Sequence, residues 1–355
     1  MNAVILAGGK GTRLFPLTAR TPKPMVSFFG RPVLEHQIEM LKRQGFTDII
    51  ITVGHLKEAM INYFGDGVAF GVRIRYVVEE SPLGTAGGVK LAEELLDDTF
   101  VILSGDAVTD VSLRAAVQFH NATEAAVTLL VTEVDDPSQY GIAQMDERGR
   151  INRFFEKPKA HEVFSRTANT GMYVMSKRCL QSVPAGTPFD FSKDLFPHLL
   201  AGGEKLCGYR IDGQYWNDIG SLGEYLAAHR DALDGRVNLP LVRLRAGQSR
   251  QATVHPRAAV DPFAIVKRGA FIDDGALVDE GTFVGANARV GASALVRRSV
   301  INHDCVIGEA CVLEEVVLAP GTRVPPHTVI CSEAAADFAR LGLKSRSEPG
   351  VVALA

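Results

Sequence analysis

A glycine-rich segment near the start of the chain carries the residues best suited to bind an anion. Gly8, Gly9 and Gly11 follow a short apolar run, and Arg13 and Lys23 come soon after them. Glycines let the backbone turn sharply and bring its N–H groups close to phosphate oxygens. The spacing is neither GxGxxG nor GxxxxGK[ST], so neither a dinucleotide-binding turn nor a Walker loop is indicated. The segment predicts a phosphate-binding loop of another kind.

Charge is unevenly distributed along the chain. Of the 355 residues, 38 are basic and 41 are acidic, which gives a formal net charge of −3. The first 34 residues contain five basic and no acidic residues, so this part carries +5 and the remainder −8. A near-neutral chain argues against a nucleic-acid or membrane-surface binder. The basic start favours an anionic small molecule as the ligand.

Cysteine usage and hydropathy indicate the compartment. The five cysteines are an odd number and form no CxxC pair, which argues against a disulfide framework and against a thiolate zinc site. No stretch approaches the roughly 18 apolar residues of a membrane span. The first residues also lack the basic region of a signal peptide. We therefore expect a reducing, cytoplasmic setting with no membrane partner.

Residues 1 to about 235 alternate between strand and helix patterns. Apolar, β-branched runs predict strands, and apolar residues at helical spacing predict helices. The predicted strands are residues 3–7, 48–54, 73–79 and 100–106, and the predicted helices are residues 32–45 and 85–96. This alternation predicts an α/β fold with helices on both faces of a parallel sheet. Two further strands within residues 142–158, joined by a turn at Gly149, would make the sheet mixed.

A different pattern begins at about residue 252. Aliphatic residues recur every six positions, and the period resumes after a four-residue step between Val296 and Val300. The residues are Val254, Val260, Val266, Ile272, Val278, Val284, Val290, Val296, Val300, Val306, Val312, Leu318, Val324 and Ile330. This is the hexapeptide repeat of a parallel β-helix, in which each aliphatic side chain points into a triangular coil. We expect the left-handed form, with Cys305 and Cys311 as packing residues.

The two patterns set the predicted domain organisation. The α/β domain covers residues 1–235 and the β-helix covers residues 252–332. Residues 236–251 show neither pattern and are predicted to connect the two. Residues 333–355 are predicted to be a C-terminal tail.

The string GGKGTRLFPLTARTPKP at residues 8–24 resembles the signature of the nucleoside-diphosphate-sugar pyrophosphorylases, which are sugar-1-phosphate nucleotidyltransferases. The tract FDFSKDLFP at residues 189–197 is most similar to that of bacterial mannose-1-phosphate guanylyltransferases. The resemblance covers nearly the whole chain, because members often carry a C-terminal left-handed β-helix. It implies that a nucleoside triphosphate and a sugar 1-phosphate react to give a nucleotide sugar and pyrophosphate.

The resemblance also implies roles for individual residues. Asp106 and Asp218 would hold Mg²⁺, and together with Arg13 and Lys23 they would form the catalytic set. The nucleotide-binding residues would be Leu6, Ala7, Gly8, Gly9, Gly11, Thr12, Arg13, Lys23, Glu79, Leu83, Gly84, Thr85 and Asp106. The sugar-phosphate-binding residues would be Gly141, Glu156, Lys157, Asn169 and Gly171. Mg²⁺ commonly takes one or two carboxylates and completes its shell with phosphates and water.

Glu79 bears on the choice of base. Its carboxylate can only accept hydrogen bonds, and guanine presents two adjacent donors, whereas a uracil or thymine edge presents one donor between acceptors. We therefore expect GTP and mannose 1-phosphate as substrates. Glucose 1-phosphate with UTP or dTTP is the alternative pair.

Other classes of protein remain open at this point. Hexapeptide β-helices also occur in acyltransferases, but the three histidines of the repeat region, His255, His303 and His327, lack a catalytic context. A non-catalytic regulatory paralogue that only senses a nucleotide sugar is a second alternative, although every charged position of the site is present. For the β-helix itself we expect a role in forming a homo-oligomer or in buttressing the catalytic domain.

Overall fold

The computed structural model describes residues 1–9, 11–242, 247–248, 251–331, 345–348 and 351–354. The chain divides into two compact units. The first comprises Met1–Gly9 and Gln37–Asp218, and the second comprises Lys10–His36 and Ile219–Ala355. The sequence-based domain boundaries stay predictions, and the predicted tail lies largely outside the described residues.

The helices are short and mostly belong to the first unit. The α-helices are α1 (Val33–Arg43), α2 (Lys57–Phe64), α3 (Gly84–Leu91), α4 (Leu113–Thr123), α5 (Phe196–Ala201) and α6 (Leu222–Leu233). Shorter 3₁₀ turns lie at Thr12–Leu14, Lys23–Met25, Val68–Phe70, Glu93–Leu95, Pro137–Gln139, Ala160–Glu162 and Lys177–Ser182, and a π-helical turn lies at Phe191–Leu195. Within the described ranges, no helix has the length and apolarity needed to cross a membrane.

The strands fall into one group before the repeat region and one group from Gly247 onward. The first group is β1 (Ala3–Leu6), β2 (Ser27–Phe28), β3 (Arg31–Pro32), β4 (Asp48–Val53), β5 (Arg73–Val78), β6 (Thr99–Ser104), β7 (Val108–Thr109), β8 (Val127–Glu133), β9 (Gly141–Met145), β10 (Ile151–Glu156), β11 (Thr167–Ser176), β12 (Leu206–Arg210) and β13 (Trp216–Asn217). The second group is β14 (Gly247–Gln248), β15 (Thr253–Val254), β16 (Ala259–Val260), β17 (Ile265–Val266), β18 (Phe271–Ile272), β19 (Leu277–Val278), β20 (Phe283–Val284), β21 (Arg289–Val290), β22 (Leu295–Arg297), β23 (Val300–Ile301), β24 (Val306–Ile307), β25 (Val312–Glu314), β26 (Val316–Leu318), β27 (Arg323–Val324), β28 (Val329–Ile330), β29 (Ser345–Glu348) and β30 (Val351–Leu354).

The first unit is built on one mixed sheet. Its strands follow the order β10-β9-β11-β6-β1-β4-β5, and β8 joins β11 to β12. Strands β1, β4, β5 and β6 run parallel, whereas β11 runs antiparallel to β6. Val4, Ile50 and Ile102 are completely buried in the sheet, as expected for apolar runs covered on both faces. The predicted mixed α/β fold is therefore confirmed.

The predicted elements of this unit agree with those observed, with one shortening. Each of the four predicted strands and the first predicted helix is present within two residues of its expected ends. The helix predicted for residues 85–96 ends at Leu91 and is followed by a 3₁₀ turn. Strands β9 and β10 form the expected antiparallel pair, with Gly149 between them at a φ of 79°.

Aromatic residues pack the second unit outside the β-helix interior. The ring of His229 on α6 lies 4.3 Å from that of Phe28 and 4.7 Å from that of Phe29, measured between centroids. Phe29 in turn lies 5.3 Å from Phe283 of β20. The hydroxyl of Tyr225 donates to the carbonyl oxygen of Ser27 at 2.6 Å. Burial lowers the pKa of His229 to about 3, so this imidazole is neutral at physiological pH.

The repeat region forms stacked coils of parallel strands. One sheet contains β15, β18, β21, β24 and β27, and another contains β16, β19, β22, β25 and β28. A third contains β14, β17, β20, β23 and β26, to which β30 and β29 are added. These sheets form the predicted hexapeptide β-helix. Cys305 and Cys311 are buried in its interior, which confirms their role in packing.

In one later coil the interior residues differ from those predicted, whereas Leu318, Val324 and Ile330 lie in the interior as predicted. The pattern assigned Val300, Val306 and Val312 to the interior, but their neighbours Ile301, Ile307 and Leu313 occupy it. Paired residues are 18 positions apart up to Leu277↔Leu295 and 17 apart from Phe283↔Val300 onward. Interior residues are six positions apart except between Val296 and Ile301 and between Leu313 and Leu318, where they are five apart. The corners before β23 and β26 therefore each hold one residue fewer. The sequence hid this change because β23 and β24 each consist of two aliphatic residues and β25 begins with two.

Left-handed backbone conformations recur at the corners of the coils. Three columns of stacked positions have positive φ: Gly269, Asn287, Asp304 and Gly321; Gly275, Ser293, Ala310 and His327; and Gly281, Arg298 and Glu315. Glycine adopts this region without strain, and asparagine and aspartate adopt it more readily than other residues. The corners nevertheless accept alanine, arginine and glutamate, so this β-helix imposes the conformation whatever the residue type.

Candidate functional site

The side chain of Glu79 lies beside the glycine-rich loop in the first unit. Glu79 follows β5, and a Cβ added at Gly8 or Gly88 would lie 3.0 or 2.8 Å from its Oε1. The N–H of Leu83 donates to its Oε2 at 3.3 Å. Burial raises the pKa of Glu79, and the Leu83 hydrogen bond opposes that shift. Glycine at residues 8 and 88 therefore leaves room for this carboxylate.

The start of α3 carries the remaining predicted base-recognition residues. Gly84 has a φ of 70°, and a Cβ there would lie 2.7 Å from the carbonyl oxygen of Phe189. Both the conformation and the close approach require glycine. The hydroxyl of Thr85 donates to Asp190 Oδ2 at 2.8 Å. The loop is thus fixed by a segment more than a hundred residues away in sequence.

Three predicted sugar-phosphate residues meet where β9 and β10 pair. Gly141 is directly opposite Glu156, and a Cβ at Gly141 would lie 2.7 Å from Glu156 Oε2. Lys157 follows with a φ of 49°, and its N–H donates to the carbonyl oxygen of Tyr140 at 3.0 Å. Burial raises the pKa of Glu156, the charge of Asp190 adds to that effect, and Lys157 opposes it. A left-handed lysine is strained, and such residues concentrate at functional sites.

Asn169 and Gly171 lie on β11, where its pairing with β8 is interrupted. The buried Asn169 amide donates to the hydroxyl of Tyr173 at 2.9 Å and accepts from the N–H of Gly171 at 3.1 Å. A Cβ at Gly171 would lie 3.3 Å from the Cβ of Ser104. Ser104 donates to Asp106 Oδ1 at 2.6 Å. The predicted sugar residues and Asp106 are therefore connected through Ser104.

The pairing of β7 with β13 brings Asp218 toward Asp106. Asn217 is opposite Val108, so continuing this antiparallel register by one residue places Asp218 opposite Ala107. Within the described ranges, no group of three or more histidine, cysteine, aspartate or glutamate side chains could hold a metal ion alone. Two carboxylates with hard oxygen donors fit Mg²⁺ when substrate phosphates and water supply the remaining ligands.

The glycine-rich segment contributes residues to both units. Leu6 ends β1, and Ala7, Gly8 and Gly9 follow it in the first unit. In the second unit, Gly11 precedes the 3₁₀ turn that contains Thr12 and Arg13, and its φ is 62°. A Cβ at Gly11 would lie 2.8 Å from the Cβ of Lys23. A Cβ at Gly220 would lie 3.4 Å from both terminal nitrogens of Arg13.

Several residues that support these groups were not assigned from the sequence. Asp190 and Ser192 lie in the tract FDFSKDLFP, which was used for the resemblance alone. Ser104 lies in LSGD, where only the aspartate was singled out. Tyr140 and Trp216 place their ring centroids 5.6 Å apart. Tyr140 directly precedes Gly141 and Trp216 lies two residues before Asp218, and this closeness to predicted site residues was the signal that could have found them.

Comparison with known proteins identifies the family to which the chain belongs. Residues 2–235 match the family model described as nucleotidyl transferase. Residues 249–354 match a model described as GlmU-like, C-terminal hexapeptide. The chain is 38% identical over 264 residues to the UTP--glucose-1-phosphate uridylyltransferase of Synechocystis sp., covering 70% of this chain and 68% of that protein. It is 35% identical over 264 residues to the mannose-1-phosphate guanylyltransferase of Mycobacterium tuberculosis, covering 73% of this chain and 71% of that protein.

Among solved structures, a putative glucose-1-phosphate thymidylyltransferase from Bacillus anthracis is similar with a TM-score of 0.59. It is 28% identical in sequence, and the match covers 67% of this chain and 96% of that chain.

Proposed function

Because the chain belongs to the nucleotidyl transferase family, we propose that it transfers a nucleotidyl group from a nucleoside triphosphate to a sugar 1-phosphate and releases pyrophosphate. The observation that carries the proposal is the arrangement of Glu79, Asp106, Glu156 and Asn169. Glu79 follows the end of β5, Asp106 follows the end of β6, and Glu156 ends β10. Asn169 lies on β11, which runs antiparallel to β6, at a position beyond the end of β6. Ligands of open α/β sheets bind at this edge.

The proposed reaction is an in-line displacement at the α-phosphorus. An oxygen of the sugar phosphate forms the new bond, and the bond to the bridging oxygen of pyrophosphate breaks. Lys157 aligns the attacking phosphate, while Arg13 and Lys23 bind the triphosphate and offset the charge that develops on pyrophosphate. The attacking phosphate is already ionised, so no general base is needed.

Asp106 and Asp218 are the residues that would hold Mg²⁺. When bound there, the ion would neutralise negative charge on the phosphate oxygens. The hydrogen bond from Ser104 holds one oxygen of Asp106 in place and so fixes the orientation of the carboxylate. The strained backbone of Ile219, which has a φ of 37°, follows Asp218 directly. A left-handed β-branched residue beside a proposed metal ligand supports a functional reason for this geometry.

For the substrates we propose GTP and mannose 1-phosphate, on the acceptor character of Glu79. The name of the Mycobacterium tuberculosis relative supports this pair. The names of the Synechocystis and Bacillus anthracis proteins favour the alternative, glucose 1-phosphate with UTP or dTTP. A non-catalytic regulatory role is disfavoured because the charged residues of the site are all present.

A grid of five nucleoside triphosphates against several sugar 1-phosphates, scored by pyrophosphate release with and without Mg²⁺, tests these proposals. We expect the highest kcat/KM for GTP with mannose 1-phosphate and no turnover without a divalent cation. Preference for UTP or dTTP would overturn the assignment of Glu79. Absence of turnover with every pair would favour the regulatory role.

We also propose that the protein is a cytoplasmic homo-oligomer. One outward column of the β-helix is wholly apolar and comprises Ala259, Leu277, Leu295, Val312 and Val329. Leu277 is 46% exposed and Val329 is 54% exposed. A second copy presents the same ladder with the same strand spacing of about 4.8 Å, so two copies match rung for rung. The five free cysteines support a reducing compartment.

The mass in solution tests this association. Leu277→Glu should shift the protein toward the monomer in light scattering, whereas Arg323→Glu on the neighbouring sheet should not. An unchanged mass in the Leu277 variant would exclude this face as the interface.

A further inference from the structure

One short segment of the first unit, residues 189–193, contacts both halves of the proposed site. Its first residue, Phe189, forms main-chain hydrogen bonds with the start of α3. The carbonyl oxygen of Phe189 accepts from the N–H groups of Ala86 and Gly87 at 3.0 and 2.9 Å. Its N–H donates to the carbonyl oxygen of Leu83 at 2.8 Å. The segment therefore satisfies backbone groups that a helix start leaves without partners.

Asp190 adds a side-chain connection to the same loop. Its Oδ2 accepts from the hydroxyl of Thr85 at 2.8 Å, and its Oδ1 accepts from the N–H groups of Ser192 and Lys193 at 2.9 and 3.2 Å. The N–H of Phe191 donates back to the Thr85 hydroxyl at 2.9 Å. Thr85 is thus held as both donor and acceptor, and the carboxylate is fixed by three hydrogen bonds.

Ser192 reaches the opposite half of the site. It is buried, and its hydroxyl accepts from the amide of Asn169 at 3.3 Å. The side chain of Ser192 also acts on the carboxylate of Glu156, whose pKa it lowers. Both of these partners are proposed sugar-phosphate residues. Ser192 lies in the π-helical turn, a rare conformation that occurs frequently at functional sites.

We propose that Asp190 and Ser192 are positioning residues that couple the base-recognition loop to the sugar-phosphate site. Ser192 orients Asn169 for the sugar, and Asp190 holds Thr85 and the turn that carries Ser192. A displacement of Thr85 by a bound base is then transmitted to Asn169 through Asp190 and Ser192, which lie two residues apart in the chain. The inference rests on the proposed nucleotidyl transfer.

Steady-state kinetics of single variants test the coupling. Ser192→Ala removes the hydrogen bond to Asn169, so we expect the KM for the sugar 1-phosphate to rise by up to about tenfold while the KM for the nucleotide changes less than twofold. Asp190→Asn weakens both connections, so both KM values should rise. Ser192→Thr retains the hydroxyl and should restore most of the affinity for the sugar 1-phosphate.

The pH profile gives a second readout that a purely structural role would not move. The hydroxyl of Ser192 lowers the pKa of Glu156, so its removal raises that pKa. We therefore expect the acid limb of kcat/KM to shift to higher pH in Ser192→Ala. A profile identical to that of the wild type would overturn the role assigned to Ser192.

Asp146 provides the matched control. It also accepts from two backbone N–H groups, those of Arg148 and Arg150, but in an exposed turn away from these contacts. Asp146→Asn should leave both KM values unchanged. If Asp190→Asn behaves in the same way, the coupling is wrong, whereas an inactive wild type would instead refute the proposed function. Should Asp190→Asn fail to fold, Thr85→Val removes the same hydrogen bond and should raise both KM values.

Discussion

Left-handed backbone positions serve opposite purposes in the first unit and in the β-helix. In the β-helix they recur from Gly269 onward, and one column holds glycine, asparagine, aspartate and glycine at φ values between 58° and 76°. In the first unit, Gly84 and Lys157 are single positions beside proposed ligand-binding residues. At a corner of the β-helix only the direction of the chain matters, so the residue type can vary from coil to coil. A position that must also meet a second segment closely, as Gly84 meets Phe189, allows no such variation.

The largest expected difference between the two regions concerns activity. Asp218→Asn should reduce kcat by about 10³-fold or more, since it removes a proposed metal ligand whose charge stabilisation amounts to several kcal/mol. Nucleotide binding and the midpoint of urea unfolding should change little, because Asp218 is only half-buried. Pyrophosphate release, nucleotide titration and urea unfolding measure the three quantities. A kcat within tenfold of the wild type would remove Asp218 from the catalytic set.

A substitution inside the β-helix should have the reverse effect. Ile307→Ala removes a fully buried side chain, so we expect a loss of about 3 kcal/mol in the free energy of unfolding with kcat unchanged. Val306→Ala is the matched control, because Val306 points outward and should cost about 1 kcal/mol or less. Chemical denaturation of both variants compares them. Equal losses would mean that the 17-residue register is wrong.

Two glycine substitutions compare the left-handed positions directly. Gly84→Asn should lose about 1 to 3 kcal/mol of stability, since its Cβ would lie 2.7 Å from a backbone oxygen. Gly321→Asn should change stability by less than about 1 kcal/mol, because other coils hold Asn287 and Asp304 in the same column. Thermal unfolding followed by circular dichroism measures both. A larger loss at Gly321 would show that the corners are not interchangeable.

The smallest effect concerns pH. The pKa of His229 is lowered from 6.5 to about 3, so the unfolded chain binds more protons than the folded one between these values. The free energy of unfolding should therefore fall as the pH drops below 6.5, by roughly 1 to 2 kcal/mol at pH 5. Urea titrations at pH 7.5 and pH 5 measure this. His229→Phe should show a smaller loss, and an equal loss would indicate that His229 does not contribute.

The buried neighbours of His229 must be included in interpreting that experiment. His36 lies in the same aromatic cluster, and burial lowers its pKa as well. Burial also lowers the pKa of Lys267, and the charge of Arg31 adds to that effect. His36 should therefore leave some pH dependence of stability in the His229→Phe variant.

Much of the fold followed from the sequence because its patterns are periodic. The strands of the parallel sheet and the six-residue repeat were both visible as runs of aliphatic residues. The interior residues of β23, β24 and β25 were mispredicted, since Val300 and Ile301 are equally apolar and only their pairing distinguishes them. The sequence motifs identified candidate binding positions but not what supports them. Ser192 reaches Asn169 across 23 residues of sequence, and no local spacing records such a contact.

The missing residues before β23 and β26 have a consequence for how such a chain can change length. The later pairs keep a 17-residue spacing because one corner in each of these coils is short, yet each interior position is still filled by an aliphatic side chain. Removing one residue at a corner therefore shortens the coil that contains it without opening a hole in the interior. Natural length variants of this region are expected to gain or lose residues at corners, or to gain or lose whole coils, while the cross-section stays constant.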